Sequence, residues 1–289
     1  MLLHNPSTDE TAEFTLRDFC PADAPQIIAC IRDAYGDTYV KPFLYTEEGV
    51  RSCDERGIMR FSVAETAQGV LAGITAYELD EHFPGMAEIA CQVILRVYHG
   101  YGLALPLALH SMRRADAQPL TGQFARALGC HKISQKTLKG MGFTACGFLL
   151  NVFDKSLFRY HFQNGSYAKV PQSIAVKRQG NDAAALWLPE ELRDLGGNTL
   201  RALGCMWTLT PGQTVNLYLN LSRPGSAAAY EAARRHGFFF TGFLPCAADG
   251  VYMILHHALN VPVELDGIPY IPEYAPFVEQ IRRQLCQTQ

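Results

Sequence analysis

The chain has no apolar run approaching the roughly 18 residues that a membrane-spanning helix needs. Its start, Met1-Leu2-Leu3-His4-Asn5-Pro6, has no basic stretch leading into an apolar one and does not read as a secretion signal. An excess of positive charge is also missing. There are 25 Lys and Arg against 28 Asp and Glu, a net charge of −3, so a nucleic-acid partner is not expected. Paired cysteine spacing is absent too: the nine cysteines are odd in number and none sits as Cys-x-x-Cys. Most lie in apolar runs, which points away from a zinc site or a disulfide framework. The expectation is reduced, mostly buried thiols, no metal, a cytoplasmic location and no membrane partner.

What is present is enough apolar material for a large core. Hydrophobic residues make up 48% of the chain and charged residues 18%. A single core usually stops growing at about 250–300 residues. At 289 residues, two domains are the better expectation.

Alternation of apolar and polar residues predicts a strand at 14–17, and Pro21, Ala22 and Asp23 then open a helix carrying Ile27, Ile28 and Ile31. Residues 35–45 are aromatic and polar without a clean period. A helix at 46–56 and strands at 59–65 and 70–78 follow, the strands joined by a turn at Ala67-Gln68-Gly69. The strand at 86–97 is the most informative. In regular form it puts Glu88, Ala90, Gln92, Ile94 and Arg96 on one face, and Ile89, Cys91, Val93, Leu95 and Val97 on the other. Beyond it come a helix to about Arg114, a strand at 120–127, a helix at 133–140 and strands around 143–153. A charged, aromatic link at 155–169 leads to strand-like 173–178, helical 189–204, a strand at 214–220, a helix at 227–236, a strand at 238–243 and a tail helix at 273–285.

One internal repeat is visible. Gly142-Phe143 followed by Gly147-Phe148-Leu149 matches Gly237-Phe238 followed by Gly242-Phe243-Leu244, the pattern GFxxxGFL at an offset of 95 residues. Each copy follows a short helix, so the first Gly suits a left-handed cap and the Phe begins a strand. The repeat favours duplication.

Between the strand at 86–97 and the helix after it lies Tyr98-His99-Gly100-Tyr101-Gly102-Leu103-Ala104. Glycines let backbone approach a ligand closely, and the free amides and dipole of a helix start attract phosphate oxygens. A plain tight turn would use the same residues, so this chemistry alone leaves both readings open. The order of strand, [Gln/Arg]-x-x-Gly-x-[Gly/Ala] and helix resembles the acyl-CoA signature of the GNAT superfamily of N-acyltransferases. Gly102 and Ala104 stand at its two small positions, Gly100 lies between strand and helix, and His99 replaces the usual Gln or Arg. The resemblance spans residues 13–153. Residues 131–136 and the tail further resemble a bacterial tandem arrangement with a degenerate second copy. Residues 222–243 fit that copy's closing half, and nothing in 156–289 matches the loop.

The resemblance implies an α/β (α+β) fold with a mixed, mostly antiparallel central sheet flanked by helices. It implies a domain at 1–155 with the acyl-CoA site and a degenerate relative at 156–289. Acetyl-CoA would be the cosubstrate, held by Val93, Ile94, Leu95, His99, Gly100, Tyr101, Gly102, Leu103, Ala104, His131 and Ser134. Tyr35, Asp37, Tyr39, Tyr45 and Gln92 would receive the acceptor, a small-molecule or protein amine. Glu88, eleven residues before His99, is the candidate base, since only a free amine attacks a thioester. The backbone amide of Val93 or Ile94 would polarise the thioester carbonyl. The Tyr that many relatives use to protonate the departing thiolate is replaced by Leu138, and by Ala233 in the second copy, which leaves Ser134 as the nearest donor. Pro106, close to the start of the motif helix, would kink it or mark an irregular start. Three readings compete: an N-acetyltransferase, a non-catalytic acyl-CoA-binding or regulatory protein, and an unrelated α/β protein with a chance loop. The second copy would complete the acceptor pocket, form a homodimer surface or cover an apolar face.

Overall fold

The computed structural model describes residues 1–80, 83, 85–129, 132–154, 169–178, 215–257 and 262–287. The helix expected at 189–204 and the link at 155–168 lie outside the described residues. Two compact units are distinguished. Residues 1–79 and 87–119 form the first; the second draws on 80–86, 120–155 and 164–289. The expected mixed α/β class, with mostly antiparallel sheet and flanking helices, is observed.

The first unit begins with a hairpin absent from the sequence reading. Strand β1 (Leu2–Asn5) pairs antiparallel with β2 (Glu10–Asp18), and the Met1 ammonium donates to Phe14 O at 2.5 Å. Antiparallel pairings then run through β3 (Met59–Thr66), β4 (Leu71–Leu79) and β5 (Met86–Ile94), giving the order β1-β2-β3-β4-β5. Helix α1 (Ala24–Tyr35) buries Ile27, Ile28 and Ile31, which recur at helical spacing. Helix α2 (Glu47–Glu55) starts where Thr46 Oγ1 accepts the Gly49 amide at 3.1 Å, and it buries Val50 and Cys53. Both helices cover one face of the sheet, sharing a core with Phe61, Val63, Ile74, Ala76, Cys91 and Val93. Helix α3 (Ala104–Asp116) covers the other face through Leu107, which packs with Phe14, Ala64 and Ala72. Pro106 is the third residue of α3, where a missing N–H costs nothing.

In the second unit β6 (Gly122–Leu128), α4 (Ile133–Gly140), β7 (Thr144–Asp154) and β8 (Lys169–Arg178) follow one another. Strand β8, which comes after residue 155, lies between β6 and β7 and pairs antiparallel with both. Then come β9 (Val215–Asn220), α5 (Ser226–Arg235), β10 (Phe239–Ala247) and β11 (Gly250–His257). Here β11 lies between β9 and β10, again antiparallel to both. The two strand–helix–strand–strand segments thus share one order and one pairing pattern. A C-terminal helix, α6 (Ala275–Gln287), packs Phe277, Val278 and Ile281 into the same core.

The GFxxxGFL repeat falls at equivalent places in the two segments. Gly142 and Gly237 end α4 and α5 with φ of 83° and 82°. Gly147 and Gly242 face each other where β7 meets β10. A Cβ on Gly147 would lie 2.2 Å from Gly242 Cα, and one on Gly242 would lie 2.7 Å from Gly147 Cα. Only hydrogen at both positions permits this approach. Gly242→Ala should therefore destabilise the protein by about 1–3 kcal/mol in urea unfolding. A variant as stable as the parent would show that the strands do not meet there.

His256 on β11 is fully buried, its Nδ1 2.8 Å from Asn216 Oδ1 on β9, and among the described residues no hydrogen-bond partner faces its Nε2. Burial first, and neighbouring His257 second, push its pKa down from 6.5 to about 4. The unfolded chain therefore binds a proton that the folded chain refuses. The stabilisation is complete above pH 6.5 and is lost as pH falls through about 4, a change of at most about 3 kcal/mol. Unfolding midpoints measured from pH 7 to pH 4 should show this slope, and His256→Asn should flatten it.

Candidate functional site

The candidate site of the first unit is built around the end of β5. Its register against β4 slips between Ile74 and Ala76: Ala76 pairs with Ala90, but Ile74 pairs with Val93. Cys91 takes up the extra residue with a φ of 52°, the left-handed backbone of a β-bulge. The bulge corrects the expectation of a single polar face. Glu88 pairs with Glu78, and the alternation Ile74, Ala76, Glu78 places both on the α1/α2 face. Past the bulge, Cys91 and Val93 pack on that face while Ile94 packs on the α3 side. Gln92 also turns away from Glu88: its Nε2 donates to Ala104 O at 2.7 Å, joining strand to helix start. This bond commits the Gln92 amide to α3.

After β5 the chain makes one 3-10 turn, Arg96–Tyr98, in which the Tyr98 amide donates to Leu95 O. Arg96 is held by Asp33 near the end of α1, with Nε 3.3 Å from Asp33 Oδ1. The exposed His99 folds back, donating from Nε2 to Ile94 O at 2.8 Å. Gly100 and Gly102 have φ of 92° and 72°, conformations that a side chain would strain. Among the described residues, a Cβ on Gly102 would meet nothing within 4 Å, so the loop is open there. Leu103 stands at the N-cap of α3, and its apolar side chain does not cap that helix start. The helix dipole and the first amides are left available to an anion.

The loop rests on the first hairpin. Tyr98 and Tyr101 each set a ring edgewise on Phe14, with centroids 5.7 Å away. Tyr101 Oη donates to Glu10 Oε2 at 3.2 Å. Buried Asn5 donates from Nδ2 to His99 O at 3.2 Å.

On the α1/α2 face, Glu88 is 7% exposed. Lys41 Nζ lies 2.5 Å from Glu78 Oε2, a half-buried ion pair opposite Glu88 in the register. Burial pushes the Tyr39 phenol well above its ordinary pKa; nearby Cys91, Tyr35 and Glu88 act in the same direction. Burial likewise pushes the Cys91 thiol up to about 12, against the pull of its hydrogen bond with Tyr39. Both groups stay neutral at physiological pH, so Tyr39 remains a donor. The rings of Tyr35 and Tyr39 are 4.6 Å apart. Tyr45 braces the segment, its Oη accepting the Tyr39 amide and donating to Gly36 O, both at 2.8 Å. Asp37 is exposed and paired with Arg32 at 3.3 Å.

The structure thus gathers Tyr35, Tyr39 and Glu88 on one face, and residues 99–104 at the start of α3. Val93 is buried on the α1/α2 face, and Leu95 packs against the same core. Asp37 is paired with Arg32 of α1, and Tyr45 is engaged in bonds within the loop. Ser134 is half-buried in the first turn of α4, in the second unit. His131 lies outside the described residues. Leu138 is buried on α4. Sequence reasoning missed Asn5, Lys41 and Glu78, whose partners are distant in the chain. Among the described residues, no group of three or more His, Cys, Asp or Glu could hold a metal ion. No helix of the described chain is long and apolar enough to cross a membrane.

No protein-family model matches the sequence, and no curated protein matches it. Among solved structures the chain is similar to an N-acetyltransferase from Staphylococcus aureus, at 16% identity and a TM-score of 0.47, over 58% of this chain and 99% of that one. It is similar to a GNAT superfamily phosphinothricin acetyltransferase from Sinorhizobium meliloti in complex with AcCoA, at 18% identity and a TM-score of 0.48, over 58% and 89%. A ribosomal-protein-alanine N-acetyltransferase from Brucella melitensis is similar at 19% identity and a TM-score of 0.47, over 57% and 99%. Likenesses this distant carry over no residue role and no activity.

Tyr45→Phe removes both bonds that fold the segment between α1 and α2. It should lower stability by about 1–2 kcal/mol in urea unfolding. An unchanged midpoint would show that Tyr45 does not brace this segment.

Proposed function

We propose that the chain is a GNAT-type N-acyltransferase that moves an acetyl group from acetyl-CoA to an amine. The observation that carries this reading is the loop at 99–104, with two left-handed glycines and an uncapped helix start directly after a bulged strand. The residues fit the group: a pyrophosphate needs amides and open space, and Gly102 borders open space. Glu88, buried on the neighbouring face of the same strand, adds a base.

Bound acetyl-CoA supplies the acetyl thioester. Amides of 99–104 hold its pyrophosphate, and a backbone amide of Val93 or Ile94 polarises the thioester carbonyl. Glu88 takes a proton from the acceptor amine, directly or through water, as the new C–N bond forms. The C–S bond then breaks, and solvent gives the thiolate a proton. Tyr35 and Tyr39 flank the acceptor, a small-molecule or protein amine. Transfer takes place within one ternary complex, without a metal or a covalent enzyme intermediate. The proposed setting is the cytoplasm, with no nucleic-acid or membrane partner. In this reading residues 1–155 form the catalytic domain. Residues 156–289 form a degenerate second copy, supported by the GFxxxGFL pattern that recurs after α5 at residues 237–244, and a homodimer through it is compatible.

A non-catalytic acyl-CoA-binding protein is the second reading. It is favoured by Leu138, which cannot donate a proton where relatives of this type carry Tyr. Release of CoA in the presence of a panel of amines separates the two. Glu88→Gln should lower kcat by about 10²–10⁴-fold and leave the Kd for acetyl-CoA unchanged. Full activity in that variant would remove Glu88 as the base. Binding without turnover would favour the second reading, and failure to bind any CoA species would defeat both.

A further inference from the structure

Asn5 makes contacts that no property of its own strand requires. It is 5% exposed, and its carboxamide is used at both ends. Oδ1 accepts the Ser7 amide at 3.0 Å, which closes the turn of the first hairpin. Nδ2 donates to His99 O at 3.2 Å, across 94 residues of sequence. The same side chain lies directly under Gly100, where a Cβ would come within 2.7 Å of Asn5 Oδ1. Gly100 has a φ of 92°. The peptide joining His99 to Gly100 is thus fixed from below at the point where the loop turns left-handed. Neighbouring contacts act in the same sense: Phe14 carries the rings of Tyr98 and Tyr101, and Glu10 holds the Tyr101 hydroxyl.

We infer that Asn5 is a positioning residue for the anion-binding loop, and that the hairpin of β1 and β2 holds the loop's amides in the geometry a pyrophosphate requires. The inference rests on the proposed acyl-CoA reading. Its physical basis is preorganisation: a loop ordered before binding does not pay for ordering during it. Asn5 touches neither the thioester nor the acceptor in this arrangement. Its effect is confined to the part of the donor that carries phosphate.

The test uses two donors, acetyl-CoA and S-acetylpantetheine, which lacks the pyrophosphate and nucleotide. Asn5→Ala in the full chain should raise the Kd and KM for acetyl-CoA on the order of tenfold, the scale of one buried hydrogen bond. The kcat, and the kcat/KM for S-acetylpantetheine, should stay within about twofold of the parent. If Asn5→Ala does not fold, Asn5→Ser carries the same comparison, because Ser keeps an acceptor for the Ser7 amide but cannot reach His99 O. Equal losses with both donors, or no loss with either, would overturn the role of Asn5. A parent protein that binds neither donor would overturn the acyl-CoA reading itself, and this inference with it.

Discussion

The left-handed backbone at Cys91 is the constraint on which the candidate site depends. A strand of perfect period two would put Glu88, Gln92 and Ile94 on one face. One extra residue at the bulge separates them, sending Glu88 toward α1 and α2 and Gln92 toward α3. A non-glycine residue in this conformation costs of order 1–3 kcal/mol. The surroundings hold it there: Cys91 is buried among the side chains of α1, α2 and the sheet, with Tyr39 hydrogen-bonded to its sulfur. The same slip lets Gln92 reach Ala104 O, so the strand that carries the candidate base also fixes the start of the helix. The candidate base and the candidate anion site are thus joined through the few backbone residues between Glu88 and Gln92.

The loop was legible in the sequence because its information is local. Two glycines, a preceding strand and a following apolar helix all fall within about twenty residues, and each has a direct conformational meaning. Glu88 drew attention through the family resemblance, as a carboxylate eleven residues before His99, and the structure buries it on the α1/α2 face. The shared face of Glu88 and Gln92 was misread because nothing in the residue types near Cys91 marks a bulge; a cysteine at positive φ is not a residue that asks for it. Asn5 and the pair of Lys41 with Glu78 were invisible for a different reason. Their partners lie 94 and 37 residues away, and only the sheet order brings them together.

The second unit shows a repeat whose meaning changed with the structure. Read in sequence, Gly147 and Gly242 are strand residues in two copies of one pattern. In the fold they are each other's neighbours, and both must lack a side chain for β7 and β10 to meet. One reason for glycine at each position is therefore the other copy. Two segments of like strand order, joined at equivalent residues, place equivalent edges against each other. That makes the edge of β7 an internal contact, where an open edge would invite pairing with another chain.

The charge around the loop gives the hairpin its importance. The two basic residues nearest the glycines in sequence are engaged with protein, Arg96 by Asp33 and the His99 ring by Ile94 O. An anion at this place would be held mainly by backbone amides and by the dipole of α3. Side chains can swing to meet a ligand, but amides can point at one only if the backbone is already in position. A site of this kind therefore draws its affinity from whatever fixes the backbone. Here that work falls to Phe14 beneath the two tyrosines, Gln92 at the helix start and Asn5 at the turn, none of which would touch the anion.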